Sequence, residues 1–226
     1  MSSAAAVLRA EDAPETGPLD LVVGEDGLAR CSWGAGAGYR AYHDEEWGRA
    51  LHGDTALYER LSLEAFQSGL SWLTILRKRE AFRTAFDGFV PETVAAYGDA
   101  EVARLLADAG IVRNRAKVAA TIANARTLTA LRARDGDGAL DRLIWSFAAD
   151  VTDAIGGTDA IDVPAPRRLA DVPAITPAST ALARSLKRVG FVFIGPTTAY
   201  ALMQACGLVN DHLVGCHART ALRGRS

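Results

Sequence analysis

From residue 54 onward the chain reads as one helix after another, opened by capping residues or prolines and closed by glycines, and this punctuation constrains the fold more than any other feature. Asp54 stands as a cap ahead of TALYERLSLEAFQ, in which Leu57, Leu61 and Glu64 share a side by their three- and four-residue steps, and Ser68-Gly69 stops the run. Ser71 caps WLTILRKREAFRTAF, which leaves Gly69 and Leu70 at the tip between two helices. Further helices are predicted over VPETVAAYG, over DAEVARLLADAG with Asp99 as cap and Gly110 as stop, and over NRAKVAATIANARTLTALRAR. LDRLIWSFAAD and ASTALARSLKRVG follow, the latter ended by Gly190, and then PTTAYALMQACG with Pro196 in its first turn and Gly207 past its end. GFVFIG is the only short strand candidate, and no repeat of fixed period is present. The fold class is all-α.

A chain of 226 residues that is 49% hydrophobic has enough apolar side chains for a real core. Residues 1–28 lack apolar periodicity and are rich in Ala, Pro, Gly and acids, so they read as a disordered N-terminal extension ahead of a single domain over 29–226. The extension carries Arg9 against six acids, a net charge of −5, which leaves +3 for the remainder. That mildly basic balance permits nucleic-acid binding without demanding it. Apolar runs such as AAAVL and YALM are far shorter than the roughly 20 residues a bilayer helix needs, and AAAVL has no basic flank before it. The reading is a monomeric cytoplasmic protein without membrane contact. Cys31, Cys206 and Cys216 are too few for a disulfide scaffold, which leaves metal binding or plain burial.

AYHDEEWG, residues 41–48, has neither a 3.6-residue nor a two-residue apolar period, so its aromatic and histidine side chains need another purpose. In NDHLVGC, His212 and Cys216 are four apart and share a face over one helical turn; Cys31 and His43 are twelve apart across a glycine-rich loop. Together they form a Cys2His2 set suited to tetrahedral zinc, with no vacancy for water and hence a structural role. The alternative is that Cys216 is simply buried and the histidines are surface or hydrogen-bonded groups; His52 and His217 are rival ligands, and Cys206 reads as core.

LLADAGIVRNRAKVAATIANA reads as helix, tight turn, helix. Its second helix begins with Arg113, Arg115 and Lys117, where the macrodipole is already positive and an external phosphate would relieve the repulsion. A solvated basic face is the equal alternative.

AYHDEEWG, LEAFQSGLSW, DAGIVRNRAK, MQACGLVNDH and HLVGC stand in one order over about Cys31 to Cys216, and in these motifs the sequence resembles the DNA-3-methyladenine glycosylase I family of helix-hairpin-helix DNA glycosylases. The resemblance implies one structural zinc ion on Cys31, His43, His212 and Cys216. It implies a base pocket of Tyr42, Trp47, Glu64 and Trp72, in which Glu64 and Tyr42 serve catalysis. The partner implied is alkylated double-stranded DNA, and the product is free 3-methyladenine, released by a monofunctional enzyme without a Schiff-base lysine. DNA contacts are expected from Gly69 and Leu70, the latter as a wedge filling the gap left by an extruded nucleotide, and from Gly110, Arg113, Arg115 and Lys117.

These residue types suit a base made cationic by methylation, which leaves as a neutral purine and needs recognition rather than a strong acid. The structural alternatives are that Trp72 is core, that Glu64 lies on an exposed helix face and that Leu70 turns inward. Trp33 and Trp145 read as structural. No acid follows the hairpin to position water, so Glu64 is the candidate to touch it. The functional alternatives are a zinc-stabilised module that binds damage without catalysis and a hydrolase that activates water on zinc.

Overall fold

The computed structural model describes residues 20–153 and 165–219. Helices dominate, as the punctuation predicts. They are α1 (Arg40–Glu45), α2 (Asp54–Gln67), α3 (Trp72–Ala85), α4 (Pro91–Ala95), α5 (Asp99–Ala107), α6 (Arg115–Asp135), α7 (Ala139–Asp153), α8 (Pro177–Arg188) and α9 (Pro196–Ala205). α6 runs against α2, α4, α5 and α7, while α9 packs on both α2 and α8. The core between them is aromatic-rich: the rings of Phe66, Phe82, Phe86 and Phe89 lie in sequential contact, and buried Tyr58 on α2 donates its hydroxyl to the Thr121 carbonyl of α6 at 2.9 Å. Burying one such side chain contributes roughly 1.5–3 kcal/mol, so this cluster fixes α2, the helix that carries Glu64.

Four expectations about local structure are corrected. First, the extension drawn at residues 1–28 ends too late. Strand β1 (Leu21–Val23) pairs antiparallel with β2 (Ala29–Cys31), and residues 1–19 lie outside the described residues. The acids that suggested disorder hold this hairpin: Asp26 forms a bidentate ion pair with Arg30, with Nη2 to Oδ2 at 2.7 Å. Second, GFVFIG forms no strand. Gly190 to Ile194 turn between α8 and α9, Phe193 is in the left-handed region at φ 63°, and buried Asn124 of α6 clamps Val192 through both its N–H and its carbonyl. Third, Asp54 does not cap α2. Its carboxylate accepts from the Gly138 and Asp141 backbone N–H groups at 3.1 and 2.9 Å and from Arg132 at 2.8 Å, so it caps the start of α7. Fourth, Asp99 likewise sits inside α5, and Glu101 closes that end by accepting from Gly98 N–H at 2.8 Å. Ser71 caps α3 as predicted, through the Thr74 N–H.

The two ends of the described chain meet. Gly48 N–H donates to the Gln204 carbonyl and Leu51 N–H to the Cys206 carbonyl, at 3.1 and 3.2 Å. Gly207 makes this approach possible: its φ is +79°, and a Cβ there would stand 2.7–2.8 Å from the backbone of residues 48–50.

Candidate active site and metal centre

Successive residues on a helix point about 100° apart, and α1 uses this to serve two places. His43 turns toward the C-terminal segment, and Tyr42 turns toward α2 and α3. Cys31, His43, His212 and Cys216 are all fully buried, and their donor atoms lie within 4.8 Å of one another. Cys216 Sγ is 3.5 Å from His43 Nε2 and 3.7 Å from His212 Nδ1, and Cys31 Sγ is 3.9 Å from His212 Nδ1. A tetrahedral ion with nitrogen at about 2.0 Å and sulfur at about 2.3 Å separates such donors by about 3.6 Å, so the set fits a metal of that size.

The supporting contacts fit as well. The other nitrogen of His43, Nδ1, lies 2.8 Å from Asp44 Oδ1, and that of His212, Nε2, lies 3.1 Å from the Trp47 carbonyl. Each acceptor holds its imidazole in the tautomer that turns a lone pair inward. Leu213 N–H donates to Cys31 Sγ at 3.3 Å, which favours a thiolate. Gly34 leaves room for the His43 ring, since a Cβ there would come within 2.3 Å of it. The rival ligands are engaged elsewhere: His217 Nε2 meets Asp44 at 2.9 Å, and His52 stacks on Trp145 at 4.3 Å.

On the other side of α1, Tyr42 and Trp72 are buried with ring centroids 5.5 Å apart. Glu64 is also buried, not on an exposed face, and its carboxylate has no hydrogen bond among the described residues. Burial pushes its carboxyl up to about 7, against the opposing pull of Arg60. The Trp72 indole Nε1–H is buried without a partner. A buried donor without a partner costs about 1–3 kcal/mol and is found where a ligand completes it. Trp47 is placed differently. Its half-buried ring touches Trp33 at 4.8 Å and His212 at 4.7 Å, and Trp33 is the ring that links it to Tyr42, at 6.4 Å.

Of the residues expected to face DNA, Leu70 is exposed on the tip between α2 and α3, behind Gly69 at φ +82°. Arg113 and Arg115 are exposed at the start of α6, where Asn114 caps the helix by accepting from Lys117 N–H. Gly110 lies in the turn before them, with its N–H on Asp108 Oδ1 at 2.7 Å. Lys117 is a correction. It is buried, and its ammonium donates to the carbonyls of Phe66 and Ser68 at 2.8 and 2.5 Å. The end of α2 offers unpaired carbonyls, and these take the cation expected to meet phosphate. Lys78 does the converse from α3, donating to the carbonyls of Ala109 and Gly110 at 2.9 and 3.1 Å. The two tips are thereby braced side by side.

Sequence reasoning missed Arg60 and Asp44, and it named Trp33 only as structural. Arg60 was within reach of it, because it precedes Glu64 by one helical turn and so shares its face. The roles of Trp33 and Asp44 depend on contacts with distant segments, which no local spacing reveals.

Comparison with known proteins agrees with this geometry. The model of the methyladenine glycosylase family matches residues 33–220. The chain is 43% identical over 190 residues to DNA-3-methyladenine glycosylase 1 of Escherichia coli (strain K12), covering 84% of this chain and 96% of that protein. It is similar to a crystal structure of 3-methyladenine DNA glycosylase I, with a TM-score of 0.73 at 42% identity, over 83% of this chain and 98% of the other. A tyrosine-to-phenylalanine variant of 3-methyladenine DNA glycosylase I in complex with 3-methyladenine matches with a TM-score of 0.71 at 31% identity, over 81% and 92% of the two chains. The chain belongs to the methyladenine glycosylase family and is a glycosylase acting on N-glycosyl bonds.

Proposed function

We propose that this protein is a monofunctional DNA glycosylase that excises 3-methyladenine from alkylated double-stranded DNA by hydrolysis of the N-glycosidic bond. The observation that carries the reading is the buried Glu64 carboxylate within electrostatic reach of Tyr42, whose ring lies 5.5 Å from that of Trp72 with its unpartnered indole N–H. An apolar, aromatic setting that raises a carboxyl's pKa has a strong electrostatic preference for a cationic ligand over a neutral one. A cationic base in the site favours the ionised form of Glu64, and the two charges offset each other. Trp72 supplies an aromatic surface and an N–H, and Trp47 borders the site from the metal side.

In the reaction the bond from the base nitrogen to C1′ breaks, and its electron pair flows into the ring and cancels the positive charge. Water then adds to C1′ and loses a proton, for which Glu64 is the candidate acceptor. The enzyme must first draw the nucleotide out of the stack. Leu70 is suited to fill the gap it leaves, and Arg113 and Arg115 to meet phosphates beside it. Helices α5 and α6 with their turn form the proposed helix-hairpin-helix.

Cys31, His43, His212 and Cys216 would hold one zinc ion, and with all four positions taken by protein its role is to fasten the two ends of the domain. The catalytic domain is residues 29–226, extended at its front by β1, and it acts as a monomer in the cytoplasm. No helix among the described residues is long and apolar enough to cross a membrane.

Purified protein is incubated with methylated double-stranded DNA and the released bases are separated. Free 3-methyladenine with intact strands supports the reading. Binding without release would leave a damage sensor, and strand cleavage would indicate a lyase.

A further inference from the structure

Arg60 is the least expected residue near the base site. It is buried on α2, one turn before Glu64, yet it brings a permanent positive charge to a site suited to a cation. Its guanidinium lies 5.4 Å from the Tyr42 ring centroid and 5.6 Å from that of Trp72. Arg60 Nη1 donates to the Tyr42 hydroxyl oxygen at 3.0 Å. Behind it, Arg60 Nη2 is 3.6 Å from Glu46 Oε2, and Glu46 is gripped by Arg79, with Nη2 to Oε1 at 3.0 Å. The guanidinium is thus held from the outside by one carboxylate and from the inside by two ring faces.

A phenol has one hydrogen to donate and an oxygen that accepts. An arginine can only donate, so the Arg60 contact uses the oxygen and leaves the hydrogen for something else. Among the described residues nothing accepts it.

We propose that Arg60 is a positioning residue that fixes the Tyr42 hydroxyl as a donor, so that its hydrogen meets a ring nitrogen of the base as that ring receives the electrons of the breaking bond. The idea rests on the glycosylase reading above. No proton is transferred; the hydrogen bond strengthens as the ring gains electron density, and the nearby guanidinium charge makes the phenol the stronger donor. This also accounts for a cation in the site, since Glu46 offsets its charge from behind while its effect is delivered through Tyr42.

The test is a double-mutant cycle in single-turnover excision of 3-methyladenine from methylated DNA, with Arg60→Met, Tyr42→Phe and the pair. Arg60→Met, which keeps the apolar volume, should slow excision about tenfold in the wild-type background and by less than about twofold in the Tyr42→Phe background. Arg60→Lys, which restores a cationic donor, should recover most of the rate. Equal losses in the two backgrounds, no loss at all, or a lysine variant as slow as the methionine one would overturn the proposal, the last by showing that only packing had been removed. Wild-type protein that releases no base would sink the glycosylase reading and this inference with it, before any variant is compared.

Discussion

Lys117 Nζ stands 2.5 Å from the carbonyl oxygen of Ser68, and through this bond the start of α6 closes the end of α2. One cation of the trio at the start of α6 is therefore part of the scaffold, whereas Arg113 and Arg115 beside it face solvent.

Lys117→Met should cost about 2 kcal/mol of stability, because the buried Phe66 carbonyl and the Ser68 carbonyl lose a charged donor. Arg113→Ala with Arg115→Ala should leave the thermal midpoint nearly unchanged and lower the slope of log affinity against log salt by roughly 0.9 for each phosphate that is no longer neutralised. Titration of both proteins with a methylated duplex at several salt concentrations, alongside thermal melts, separates the two roles; a Lys117 variant of normal stability and reduced salt slope would reverse them.

Leu70→Ala removes an exposed side chain, so its melt should match the wild type. If it serves as a wedge, excision from duplex DNA falls about tenfold or more while binding of the free base is unaffected. Equal excision by the two proteins would show that the tip is idle.

Glu64 has its folded-state pKa raised from 4.5 to about 7. Between these values the folded chain holds a proton that the unfolded chain has released, so this group makes stability fall as pH rises from about 4.5 to 7. Glu64→Gln should accordingly be more stable than wild type at pH 8, by up to about 3 kcal/mol, with the difference vanishing near pH 4.5. The same change should weaken binding of 3-methyladenine. Denaturant melts across that range would expose an error if the variant were the less stable protein at pH 8.

Cys216→Ser should reduce bound metal and lower the thermal midpoint together, and a chelator should unfold and inactivate the protein in one step. Asp44→Asn is milder, with a ten- to hundredfold loss of metal affinity, as expected when the acceptor that orients a ligand histidine is weakened. Metal content by emission spectroscopy and competition with a chromogenic chelator provide the measurements. Activity that disappears while the melt is unchanged would point to a metal that takes part in the reaction.

The helix boundaries are legible in the sequence because caps, prolines and glycines act within a few residues, and Ser71, Pro196 and Gly207 do what such residues do locally. Asp54 shows where this logic ends. It stands at the start of α2, but three donors from Arg132, Gly138 and Asp141 outcompete its own helix. Lys117 departs from expectation for the same reason: its spacing marks a helix start, and only the fold brings the α2 carbonyls to it. The four sulfur and nitrogen donors are legible as residue types, and their convergence is not. Asp26 looks like part of an acidic, unstructured run until β1 and β2 pair and Arg30 meets it.

Cys31 and His212 are 181 positions apart in the chain. A nascent polypeptide thus presents Tyr42 long before it contains the side chains that meet its neighbour His43. A chain cut short before residue 212 would carry Tyr42 and His43 without two of the four donor side chains that converge beside them.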